Sequence, residues 1–152
     1  MTGMGLTAMR IHSYEEFQTW LAKEVEVRDE LESLIGVELG LDEQSLDTLE
    51  AFLLRRYSTP DDALRLDQRG VLDAVARHIG LVMLLNINGT KWDINLDNDN
   101  AVYYRLPVIR FADGSTDCPL TLATASLDRR TGDYIRTVVE NNEELYNTAT
   151  DE

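Results

Sequence analysis

Residues 88–105 read NGTKWDINLDNDNAVYYR, and the second half of the chain turns on whether the Asp/Asn run at its centre is a cation loop or a turn. An EF-hand loop places oxygen ligands at positions 1, 3 and 5, a glycine at 6 and a bidentate Glu at 12. Counted from Asp93, Asn95 and Asp97 fit, but position 6 is Asn98 and position 12 is Tyr104. Trp92, Ile94 and Leu96 alternate with Asp93 and Asn95, which is the period of a half-buried strand. After DNDN, the run AVYYRLPVIRF is rich in β-branched and aromatic residues and reads as its partner. The stretch therefore predicts a hairpin over about 91–111 turning at DNDN, with Pro107 marking an edge or a bulge.

Working outward, the period changes to 3.6 on both sides. Ser13 with Glu16 is a capping-box pair, and Phe17, Trp20, Leu21, Leu31, Leu34 and Ile35 recur at helical spacing from about Tyr14. Glu24 and Arg28 interrupt that stripe, so the helix either buries them as an i,i+4 ion pair or bends there. Asp42 is expected to cap a second helix through Leu46, Leu49, Phe52 and Leu53, ending near Tyr57. Thr59-Pro60 restarts the chain in a third and most hydrophobic helix carrying Val71, Leu72, Val75, Ile79, Val82 and Met83. Gly80 inside it costs about 1 kcal/mol relative to Ala, which points to a close packing contact, and Gly89 is expected to close the helix. After the turn at Ala112–Ser115, a third strand or a helix starts at Cys118-Pro119; Asp117 as cap favours the helix. A last helix, capped by Thr131, carries Tyr134, Ile135, Val138, Val139, Asn142, Leu145 and Tyr146. Residues 1–12 and 147–152 are expected to be flexible. This pattern predicts one α+β domain: a helical N-terminal half, a small antiparallel sheet and a C-terminal helix.

Charge is the strongest compositional signal. The chain has 28 acidic and 14 basic residues, a net charge of −14. Between Tyr14 and Glu50 twelve acids face only Lys23 and Arg28, so a balance of −10 falls on the first helices. Binding to nucleic-acid phosphates or an anionic membrane is disfavoured. With no long apolar run, no secretory h-region and a lone cysteine, Cys118, the chain reads as soluble and cytoplasmic.

No catalytic constellation, metal set or cofactor is expected. The histidines are only His12 and His78; there is no CxxC, HExxH, GxxxxGK[ST] or GxGxxG. A site pairing Cys118 with His78 has no local signature, and Arg55-Arg56 and Arg129-Arg130 read as cations offsetting helix C-terminal dipoles. What remains is the acidic face. Trp20, Glu24, Glu26, Asp29, Glu30 and Glu32 are the candidate partner-binding residues, with Tyr14 and Tyr57 as further aromatic anchors inside a charged rim.

GVLDAVARHIGLVMLL at 70–85, GTKW at 89–92 and YYRLPVIRF at 103–111 together resemble a pattern in small bacterial proteins of unassigned function. Some of these are similar to immunity proteins of contact-dependent or secreted toxin systems. The resemblance covers about residues 70–111, leaves the acidic N-terminal part outside it, and implies neutralisation of a toxin by tight protein binding. The expectation is thus a non-catalytic acidic module that inhibits a basic protein such as a nuclease toxin. The alternative is an adaptor or an oligomerising structural protein, homodimer included, and a small hydrolase or transferase comes third.

Overall fold

The computed structural model describes residues 2–151 and has the α+β architecture expected of the sequence. Among the described residues the fold has eight α-helices and a three-stranded antiparallel sheet, built around the buried helix α6 (Arg69–Asn86). Its Leu72, Val75, Ile79, Val82 and Met83 are fully buried. Helices α3 (Glu24–Ile35), α4 (Glu43–Arg56), α7 (Pro119–Arg129) and α8 (Tyr134–Asp151) and the sheet all pack against it. An 18-residue helix with apolar residues almost all round must be enclosed in this way.

The N-terminal half is more broken than its periodicity suggests. Residues 2–8, expected in a loose arm, form α1 (Thr2–Ala8), where a Cβ on Gly5 would lie 2.3 Å from the Leu64 carbonyl oxygen. Helix α2 (Tyr14–Ala22) starts at Ser13, whose Oγ accepts from the Glu16 N–H at 3.1 Å, and stops at Lys23. Of the two readings left open for Glu24 and Arg28, the chain takes the bend, and among the described residues the two make no ion pair. Asp42 caps α4 as expected, its Oδ1 accepting from Ser45 N–H at 3.1 Å.

Thr59 and Pro60 do start a helix, but α5 (Pro60–Ala63) lasts one turn. Arg65 is extended (ψ 144°), and a 3-10 turn at Leu66–Gln68 re-aims the chain before α6 begins. Helix α6 ends at Asn86 through an extended Ile87, so Gly89 (φ 79°) shapes the following turn rather than closing the helix.

The hairpin is antiparallel but not tight. Strand β1 (Lys91–Asp93) pairs with β2 (Val108–Arg110) in the register Lys91↔Arg110, Trp92↔Ile109, Asp93↔Val108; β2 pairs with β3 (Thr116–Asp117) across the expected turn at 112–115. Residues 94–107 leave the ladder, so Ile94 and Leu96 do not continue the face of Trp92. The reason is local competition for the backbone. Asp93 Oδ1 accepts from Ile94 N–H at 2.8 Å, and Asn95 Oδ1 accepts from both Asp97 N–H and Asn98 N–H at 3.1 and 3.0 Å. Asn98 Oδ1 takes Asn100 N–H at 3.0 Å in the same manner. The Asp/Asn run is a series of side-chain-capped turns inside a long loop.

The start of α7 settles the choice at 118: Thr116–Asp117 is the third strand, and the helix follows with Cys118 as N-cap in place of Asp117. Helix α8 begins at Tyr134, three residues after Thr131, because its first N–H groups are claimed from another helix. The buried carboxylate of Glu50 on α4 accepts from Ile135 N–H at 2.9 Å and Tyr134 N–H at 3.3 Å. An anion there offsets the positive end of the helix dipole. Far along α8, Tyr146 stacks on Phe111 with ring centroids 4.7 Å apart, and Asn147 bonds Asn86 O and Asn88 N–H, each at 2.8 Å. The helix continues to Asp151 through residues expected to fray.

Candidate functional site

The acidic face is carried by α2 and α3, and the break between them is stabilised from below. On α6, Asp73 and Arg77 stand one turn apart. Asp73 Oδ1 accepts from Trp20 Nε1 at 2.8 Å, and Asp73 Oδ2 accepts from Arg77 Nε at 2.7 Å. Arg77 also donates through Nη1 to the carbonyl of Trp20 near the end of α2, and its guanidinium lies 4.0 Å from the Trp20 ring centroid. A buried cation on the last carbonyls of a helix is well placed against its dipole. Trp20 in turn meets Trp92 edge-on at 4.9 Å, and the Trp92 ring lies on the bare backbone of Gly80.

This bears directly on the candidate residues. Trp20 is held in place by Asp73, Arg77 and Trp92 as part of the joint between α2, α6 and β1. Burial pushes the Glu24 carboxyl above its ordinary range, with Arg77 and Arg28 opposing; its Oε1 is shielded and has no hydrogen-bond partner among the described residues. Glu32 turns inward, its Oε2 accepting from Leu39 N–H at 2.6 Å, which ties the loop after α3 to the helix. Glu26, Asp29 and Glu30 are exposed on the outer side of α3. Beyond them Asp29, Glu32, Glu38 and Val37 line an open hollow of about 480 Å³. Of the aromatic anchors, Tyr57 is buried, its hydroxyl donating to Gln68 Oε1 at 2.6 Å, whereas Tyr14 is 62% exposed.

The remaining chemistry-bearing residues are buried or turned onto neighbouring backbone groups. His78 is buried, with Nε2 2.9 Å from Ser45 Oγ, while Ser45 donates to the carbonyl of Asp42. Cys118 is buried with Sγ directed at the carbonyl of Pro107, and burial pushes its thiol up to about 11. The two are engaged with different neighbours. Arg130, left-handed at φ 55°, donates to the carbonyls of Leu54, Tyr57 and Ser58 and so caps α4 from the end of α7. Sequence periodicity carries no sign of this long-range cap, nor of the one formed by Glu50. Among the described residues no group of three or more His, Cys, Asp or Glu side chains is placed to hold a metal ion, and no helix is long and apolar enough to cross a membrane.

Two groups, the buried His78 and the half-buried Glu143, oppose each other in their effect on stability with pH. Burial, then Arg28, lowers the His78 pKa to about 4. Below about 6.5 the unfolded chain takes a proton that the native state refuses, so this stability falls as pH drops and is lost by about 4, on the order of 3 kcal/mol in all. Desolvation, then the neighbouring carboxyl group of Glu43 across the α4–α8 contact, raises Glu143 to about 7. Its contribution has the opposite sign, falling as pH rises from the ordinary carboxylate range towards 7. Urea titrations at stepped pH should therefore show, across about pH 4.5–6.5 where the two effects overlap and oppose, stability that rises less with pH in His78→Gln and rises more with pH in Glu143→Gln than in the wild type. Unchanged slopes in both variants would contradict these assignments.

No family model matches the chain, and neither does any curated protein or solved structure. The class defined by fold and site together is an α+β protein with an acidic helical face.

Proposed function

We propose that the protein is a non-catalytic binding module that neutralises a basic partner, an immunity-type inhibitor of a toxin or nuclease. The observation that carries this reading is the outer side of α3. Glu26, Asp29 and Glu30 are exposed, and no cation lies within ion-pairing distance of them among the described residues. The hollow after the helix adds Glu38 beside Val37, again without a lining cation. Unneutralised carboxylates of this kind cost self-repulsion in the free protein, and a basic partner removes that cost while being steered to the surface. The rigid joint beneath, made by Trp20, Asp73 and Arg77, presents them in a fixed arrangement, which lowers the ordering cost of binding. Resemblance of residues 70–111 to immunity-type proteins points the same way.

The test is capture from the native host with the wild-type chain and with Glu26→Lys/Asp29→Lys/Glu30→Lys as baits. Glu32 is left alone because it holds the loop. A basic protein should be retained by the wild type and lost or weakened in the triple variant, with an association rate reduced by at least about tenfold and steeply salt-dependent. An unchanged association rate would reduce the charges to a solubility device.

A further inference from the structure

The long loop 94–107 borders the outer face of the sheet, and a half-open cavity lies between the two, with lining residues distinct from those of the acidic surface. Register places Asp93, Val108, Arg110 and Thr116 on that face, since Asp93 pairs with Val108 and Arg110 with Thr116, while Trp92 and Ile109 face α6. Between face and loop lies a cavity of about 350 Å³, lined by Asn95, Val102, Tyr103, Val108, Arg110 and Thr116 among others. This is within the size range of small-molecule sites.

Hydrogen-bond accounting gives the chemistry of the occupant. Arg110 spends Nε on Asp93 and Nη1 on the carbonyl of Gly114, leaving Nη2 without a partner among the described residues. Asn95 spends its side-chain oxygen on two backbone N–H groups, leaving Nδ2. The Thr116 hydroxyl makes no hydrogen bond to a described residue. The spare capacity is thus dominated by donors, which calls for a ligand with acceptors. A guanidinium with five N–H groups can serve Asp93 and a second carboxylate together. The wall formed by Val108 and Val102 is apolar, and Val102 is 87% exposed at the rim, so an apolar tail would cover it.

The loop itself is built to hold a shape. Loops beyond about 12 residues without regular structure are commonly binding loops or lids. Arg105 is held at φ 62°, its N–H donating to Asn95 O at 2.9 Å and its carbonyl accepting from Ile11 N–H at 2.8 Å. A left-handed arginine clamped at both backbone groups is stored strain of the kind that accompanies ligand sites.

We propose that this cavity binds a small organic monocarboxylate with an apolar tail. The test is a titration of the full chain followed by amide chemical shifts, with isovalerate and phenylacetate as probes and isoamylamine as the cationic isostere of the first. At least one carboxylate should saturably shift the amides of Asn95, Val108 and Thr116, and the amine should not. Asn95→Asp keeps the oxygens that cap the turn but replaces the donor by a negative charge; Thr116→Val removes the hydroxyl at constant shape. Each should weaken carboxylate binding by at least about tenfold while the remaining spectrum stays in place. If Asn95→Asp disturbs the loop, Thr116→Val alone decides. No saturable shift with either carboxylate, an equal response to the amine, or full affinity in Thr116→Val would overturn the proposal.

Discussion

Replacing Gly80 by alanine should destabilise the protein by at least about 2 kcal/mol, reversing the sign usual for a helical glycine. In an exposed helix the change gains about 1 kcal/mol of propensity. Here the added methyl would lie 2.2 Å from Cζ2 and Cη2 of Trp92. That ring cannot simply swing away, because Trp20 meets it at 4.9 Å and is itself fixed by Asp73 and Arg77. Overpacking of this kind costs about 1–3 kcal/mol and often more when the obstructing group is rigid. Urea denaturation measures the loss, and a double-mutant cycle assigns it. In a Trp92→Leu background, Gly80→Ala should become neutral or stabilising. A gain in stability for Gly80→Ala alone would mean that the ring does not rest on α6.

Arg77→Leu should be as damaging or more so, costing about 3–5 kcal/mol, the range for removing one partner of a buried ion pair. The guanidinium is 4% exposed and does several things at once: it pairs with Asp73, bonds the carbonyl of Trp20, stacks on the Trp20 ring and partly offsets Glu24. Leucine fills some of the space but leaves Asp73 without its cation, Glu24 with only Arg28 to offset it, and the end of α2 without its donor. For a chain of this length the loss amounts to roughly 10 °C or more in Tm. Arg77→Lys keeps the charge but not the planar fork, and should recover only part of the loss. A variant with leucine that melts within about 2 °C of wild type would show that the joint holds by packing alone.

Much of the architecture was legible in the sequence because it depends on local periodicity and capping. The amphipathic runs of α2, α4, α6, α7 and α8, the Asp42 cap and the turn at 112–115 all follow from residues within a few positions of one another, and the two strand-forming runs around Trp92 and Ile109 were legible from their own composition though their register was not. So does the lopsided charge, and Gly80 announced a close contact without naming its partner. What only the tertiary structure decided are the places where a distant side chain claims a backbone group. Arg77 from α6 ends α2, Glu50 from α4 starts α8, and Arg130 beyond α7 closes α4. Each spans more than fifty residues of chain, so no window of sequence contains both donor and acceptor. The same limit explains the candidate site. Trp20, Glu24 and Glu32 carry the residue types of a docking surface, yet a neighbouring element or loop turns each of them inward, leaving Glu26, Asp29 and Glu30 outside. Charge and spacing along a helix determine which residues share a face; which of those faces meets solvent is settled by what the rest of the chain packs against it.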